Sequence, residues 1–162
     1  KIATLFANAM TDRSSPVLDI GCGTGLVADH LVGESFANVV GLDFSPEMLA
    51  EADQKDIYRF LIEADLEEKL LIEDATYAGA ISCGTFTHGH VGPSAFREIF
   101  RVLEQGAPFA CTIHSQLWTS AGFDQALAIL ENERVMSIET ISDESYFEGE
   151  SADGKFCIFR KI

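Results

Sequence analysis

Val17-Leu18-Asp19-Ile20-Gly21-Cys22-Gly23-Thr24-Gly25-Leu26 is the stretch that decides the fold of this chain. Pro16 precedes Val17–Ile20, a short apolar run suited to a buried strand. Three glycines follow within Gly21–Gly25. Glycine lets a backbone turn sharply and approach a ligand with no Cβ in the way. Leu26–Val32 then reads as a helix, with Gly33 where a left-handed cap residue is common. A strand, a glycine turn and a helix in that order form a nucleotide-binding arrangement.

The same alternation extends outward in both directions. Ile2, Leu5, Phe6, Ala9 and Met10 line one face of a first helix. Val39–Asp43 reads as a second strand. Ser45 and Pro46 then open a helix that buries Met48, Leu49 and Ala52. Tyr58–Ala64 reads as a third strand, ending at Asp65, with a short helix over Leu66–Leu71. Tyr77–Cys83 is a fourth, followed by a stretch rich in Gly and His as far as Gly92. Pro93 starts a helix with Phe96, Ile99, Phe100 and Leu103 on one face, and Gly106 stops it. Pro108–His114 is a fifth strand. Phe123, Ala126, Leu127 and Leu130 repeat the helical spacing. Val135–Ile141 and Lys155–Ile162 close the chain as two strands joined by the acidic stretch Ser142–Asp153. No helix signal separates them, so they pair in antiparallel fashion. The expected fold is α/β: a doubly wound, mostly parallel seven-stranded sheet with a C-terminal antiparallel strand pair and helices on both faces.

The length of 162 residues fits one domain over 1–162. The chain begins with Lys1 rather than Met, which leaves room for upstream residues, an N-terminal lid among them. Acidic residues outnumber basic ones, 26 to 11, for a net charge of −15. Such a chain repels phosphate backbones and anionic lipid, so neither nucleic acid nor membrane is an expected partner. No stretch approaches the roughly 20 apolar residues of a membrane span. Cys22, Cys83, Cys111 and Cys157 lie far apart, with no C-x-x-C pair. They read as reduced thiols of a cytoplasmic protein. The oligomeric state is not encoded in these patterns.

The glycine spacing separates two nucleotide readings. In the dinucleotide pattern G-x-G-x-x-G begun at Gly21, the last glycine would fall at Leu26; here it comes one residue early, at Gly25. Asp19 also argues against a pyrophosphate, which its carboxylate would repel. It suits a ligand with no phosphate and a positive amino group. Val17–Gly25 resembles the first motif of the class I methyltransferases that depend on S-adenosylmethionine (SAM). The resemblance implies SAM as cofactor, S-adenosylhomocysteine as product, and cofactor contacts along Asp19, Gly21, Cys22, Gly23, Thr24 and Gly25. It implies that Asp43, 24 residues after Asp19, binds the ribose hydroxyls, with Phe44 and Met48 lining the adenine pocket. It implies that Asp65 and Leu66 read the adenine edge, and that Cys83, Gly84 and Thr85 lie beside the methionine part and the acceptor. Arg101–Gly106 resembles the family's approach to strand five, although Gln105 and Ala107 replace its usual Pro and second Gly, and Ala78 stands where many members carry Asp.

Methyl transfer from a sulfonium is an in-line displacement by an already activated donor. The protein aligns the partners and excludes water. A general base is needed only for hydroxyl or protonated amine acceptors. His88 is the first candidate, His90 the second, and His114 at the end of strand five the third. His30 reads as structural, Trp118 could cover the acceptor, and no metal site is expected. The expected activity is methyl transfer to an acceptor, most simply a small molecule. The alternative is a SAM-binding module without transferase activity that serves a partner protein.

Overall fold

The computed structural model describes residues 1–87, 91–146 and 151–162. In it the chain forms α1 (Ile2–Ala9), β1 (Val17–Ile20), α2 (Leu26–Gly33), β2 (Val39–Asp43), α3 (Pro46–Asp53), β3 (Phe60–Glu63) and β4 (Gly79–Phe86). Then follow α4 (Ala95–Val102), β5 (Pro108–His114), α5 (Leu117–Ser120), α6 (Phe123–Asn132), β6 (Met136–Glu144) and β7 (Gly154–Lys161). The strands form a single sheet in the order β3-β2-β1-β4-β5-β7-β6. β1 to β5 run parallel, and β7 is antiparallel to both its neighbours. This is the expected fold class.

Burial explains the strands. All four residues of β1 are buried, including Asp19. A strand covered on both faces reads as a continuous apolar run rather than an alternating one. One face carries α1 and α2, with Phe6, Ala28 and Leu31 packed over Val17, Val39, Ile81 and Ala110. The other carries α4 and α6. There Phe96 is the hub of an aromatic cluster, its ring 4.9 Å from Phe86, 5.6 Å from Phe109 and 5.9 Å from both Phe123 and Phe159. Most of these pairs are edge-on, the geometry that ring quadrupoles favour.

Three local expectations change. Gly33 is the last residue of α2 and not its left-handed cap; Ser35 takes the positive φ, at 69°. No helix forms over Leu66–Leu71. Leu70 N–H instead donates to Glu98, and Arg101 holds the Leu70 and Ile72 carbonyls together with Glu98 and Asp74. An arginine fork thus satisfies backbone groups that a helix would have paired internally. The fourth strand starts at Gly79, after a lone bridge between Tyr77 and Leu103, and continues to Phe86. It keeps its place beside β5 through a register shift between Ser82 and Phe86. Trp118 falls in the short helix α5, half-buried, with the Lys155 ammonium 5.5 Å from its ring centroid.

Phe96 sets the stability of the larger core. We expect Phe96→Ala to cost about 3–5 kcal/mol of unfolding free energy, read from denaturant midpoints.

Candidate active site

β1 lies between β2 and β4, so the chain runs outward one way through β2 and β3 and then returns across β1 to β4. Ligands of open α/β sheets bind outside the carboxyl ends of the strands at such a reversal. A cleft of about 580 Å³ lies there. Gly21 and Gly23 line it after β1; Leu42 and Asp43 at the end of β2, with Phe44, Ser45 and Met48 beyond; Ala64, Asp65, Leu66 and Glu67 after β3; and Cys83, Gly84 and Thr85 toward the end of β4, with Val91 beyond.

The glycine loop is shaped by what crowds it. Gly21 has φ +64°, and a Cβ there would lie 2.1 Å from Thr85 Oγ1. Thr85 holds that place because its hydroxyl donates to the Ile20 carbonyl, which also accepts from Ser82. The loop is braced from β2 as well. Asp43 Oδ2 accepts from Gly23 N–H and Oδ1 accepts from Ser45 N–H, each at 2.9 Å. Ser45 in turn caps α3 by accepting from Met48 N–H. Gly25 is the left-handed N-cap of α2, with φ +85°, and a Cβ there would press on the Tyr58 ring at 3.1 Å. That contact explains the early third glycine.

Ten of the expected cofactor residues meet at the cleft: Gly21, Gly23, Asp43, Phe44, Met48, Asp65, Leu66, Cys83, Gly84 and Thr85. Phe44 and Met48 are not core residues; they stand 72% and 45% exposed at the cleft. Asp65 Oδ1 accepts from Glu67 N–H, which fixes the turn after β3. Asp19, Cys22, Thr24 and Gly25 are not among the lining residues. Asp19 lies beneath the loop, fully buried. Its Oδ2 accepts from the Tyr58 hydroxyl at 2.7 Å, and its Oδ1 has no hydrogen-bond partner among the described residues. Burial pushes the Asp19 acid up to about 7 against the lowering effect of that hydroxyl, and the nearby Asp43 adds a further upward push. Burial likewise pushes the Cys22 thiol up to about 12, so it is no nucleophile. The Cys83 thiol is raised by burial too.

Of the candidate bases, His114 ends β5 half-buried, accepts a hydrogen bond at Nδ1 from Gln116 N–H, and is not part of the cleft lining. His88 and His90 lie outside the described residues. His30 is exposed on α2. Among the described residues no cluster of His, Cys, Asp or Glu could hold a metal ion, and no helix is long and apolar enough to cross a membrane.

Three contributors had escaped the sequence reading. Tyr58 reaches Asp19 from the far side of the loop. Thr112 on β5 accepts from Gly84 N–H at 3.1 Å and fixes the end of β4. Glu67 accepts from Gly92 N–H and from the Ser94 hydroxyl, tying the segment before α4 to the cleft edge. Each joins positions at least 25 residues apart, with no local pattern to mark it.

These features fit an adenosyl ligand with a cationic tail. Among the described residues the lining holds exposed apolar side chains for a base, an Asp at the end of β2, and no Lys or Arg that would serve a phosphate. The unpartnered Asp19 oxygen supplies buried negative potential under the loop.

Comparison with known proteins agrees. Residues 18–111 match the family described as a methyltransferase domain. The chain is 39% identical over 71 residues to the bovine 18S rRNA (guanine-N(7))-methyltransferase, covering 44% of this chain and 25% of that protein. It is 33% identical over 103 residues to the dTDP-3-amino-3,6-dideoxy-alpha-D-glucopyranose N,N-dimethyltransferase of Streptomyces fradiae, covering 61% and 38%. A SAM-dependent methyltransferase from Mesorhizobium loti superposes with a TM-score of 0.77 at 14% identity, over 98% of this chain and 96% of that one. The chain spans less than half the length of the curated relatives it matches.

Gly21→Ala should abolish SAM binding in calorimetry, because the new Cβ meets Thr85 in a left-handed backbone. Gly33→Ala, in a helix with open space around it, should raise stability by about 0.5–1 kcal/mol. For Asp19, the folded chain holds the proton more tightly than the unfolded one, whose acid titrates near 3.8. Its contribution to stability is complete below that value and is lost as pH rises through about 7. Asp19→Asn should therefore flatten the fall in unfolding midpoint between pH 4 and pH 7.5.

Proposed function

The chain belongs to the methyltransferase domain family, whose methyl donor is SAM, and from that premise we propose that it methylates a small acceptor carrying no net negative charge. The observation that carries the acceptor class is the charge of the cleft. Among the described residues its charged lining groups are Asp43, Asp65 and Glu67, with no cation among them. The chain as a whole carries −15. A phosphorylated or polynucleotide acceptor would meet repulsion on approach, whereas a neutral or cationic one would not.

SAM, when bound, supplies an activated methyl group on a sulfonium. The roles of this chain's residues are binding and orientation. Asp43 is placed to accept from ribose hydroxyls with the lone pairs left over from Gly23 and Ser45. Phe44 and Met48 offer apolar faces to the adenine, and Asp65 with Leu66 offers polar groups to its edge. Cys83, Gly84 and Thr85 form the wall nearest the reacting end. The raised Cys83 thiol stays protonated there, so it does not compete for the methyl group. The four free thiols accord with a cytoplasmic setting.

The test is turnover. Purified protein with methyl-labelled SAM should label a small-molecule fraction of cell extract and leave extracted ribosomal RNA unlabelled. Label in the RNA alone would reverse the acceptor assignment. SAM binding with no labelled product in any fraction would support a binding module instead.

A further inference from the structure

We propose that Tyr58 is a positioning residue of the cofactor site, its hydroxyl orienting the buried Asp19 carboxylate beneath the glycine loop and its ring supporting the loop itself. The proposal rests on the SAM-binding reading above.

Tyr58 does two separable things. Its ring fills the space beside two glycines. A Cβ at Gly25 would lie 3.1 Å from Tyr58 Cε2, and one at Gly41 would lie 3.0 Å from Tyr58 Cε1. The ring is therefore wedged between the start of α2 and the middle of β2. Its hydroxyl donates to Asp19 Oδ2 at 2.7 Å, leaving Oδ1 buried and unpartnered. A carboxylate held by one oxygen has one way to present the other. Asp19 does not line the cleft, so it acts on a bound cation through its charge, across Gly21 and Cys22, in a region that water does not screen.

The other titratable groups around Asp19 do not take over this role. Asp43 on β2 is a like charge already engaged by Gly23 and Ser45. Cys22 in the loop and Cys83 on β4 are thiols that burial keeps neutral. Lys55, whose stem packs near Gly25, pairs with Asp29 on α2. The Tyr58 hydroxyl is thus the group that favours the ionised carboxylate.

Binding of SAM, which carries ammonium and sulfonium charges, should strengthen as pH rises and Asp19 ionises. Binding of 5′-methylthioadenosine, which lacks both, should not. The experiment is calorimetry of both ligands from pH 6 to pH 8 on wild type, Tyr58→Phe and Asp19→Asn. Tyr58→Phe keeps the ring. It should weaken SAM about tenfold at pH 6.5, move the SAM profile to higher pH, and leave methylthioadenosine within about twofold of wild type. Asp19→Asn should remove the pH dependence of SAM binding. An unchanged SAM profile in Tyr58→Phe, or an equal loss of both ligands, overturns the proposal. Should Tyr58→Phe fail to fold, Asp19→Asn decides: persistence of the wild-type pH dependence overturns it. Failure of wild type to bind either ligand overturns the SAM reading instead.

Discussion

The carbonyl oxygen of Ile20 sits where β1 stops and the glycine loop begins, and two hydroxyls from β4 converge on it. Ser82 reaches it at 2.9 Å and Thr85 at 3.1 Å. Those bonds draw the end of β4 across the end of β1 and leave no volume for a side chain at position 21. The remaining parts of the site follow from that seam. Once Gly21 turns with positive φ, Cys22 N–H pairs with the Leu42 carbonyl, extending the β1–β2 contact by one residue. Gly23 N–H then meets Asp43, and Gly25 opens α2. A methyl group added at the seam would displace each of these in turn.

Charge is arranged around the seam with equal economy. Asp19 is buried and faces a like charge on Asp43, an arrangement that disfavours ionisation and lowers stability near neutral pH. Strain of this kind is common at binding sites, where a compensating ligand charge relieves it. The phenol of Tyr58 moderates the cost and fixes the geometry. Away from the cleft the chain spends its cations on structure. Arg101 holds the segment between β3 and β4, and Arg160 ties Glu139 to the carbonyls of Gly106 and Ala9. With 11 basic residues against 26 acidic ones, few remain to attract an anion.

Much of the architecture was legible because it depends on local periodicity. β1, β2 and β5 have the bounds that the sequence suggests, and β3, β4, β6 and β7 shift by one to three residues at their ends. After β3, Leu66, Leu70 and Leu71 suggest a helical face, while Arg101, 31 residues beyond Leu70, supplies hydrogen bonds that hold the segment as irregular turns. Gly33 was assigned a cap by its type, yet the chain leaves the helix two residues later at Ser35.

The sequence by itself determined the strand–loop–helix unit, the choice of an adenosyl ligand over a dinucleotide, and most of the cleft lining. Those properties live in contiguous residues: a glycine that must turn, a carboxylate at a strand end. Tertiary structure alone decided which of those residues face the cleft and which support it from below. Asp19 and Gly25 belong to the motif, yet one is buried under the loop and the other is packed on Tyr58. Tyr58 lies 39 residues from Asp19, and only the parallel pairing of β1, β2 and β3 brings them together. The physical reason is that side-chain chemistry is written in sequence, whereas burial and neighbourhood come from the sheet order that packs one strand beside another.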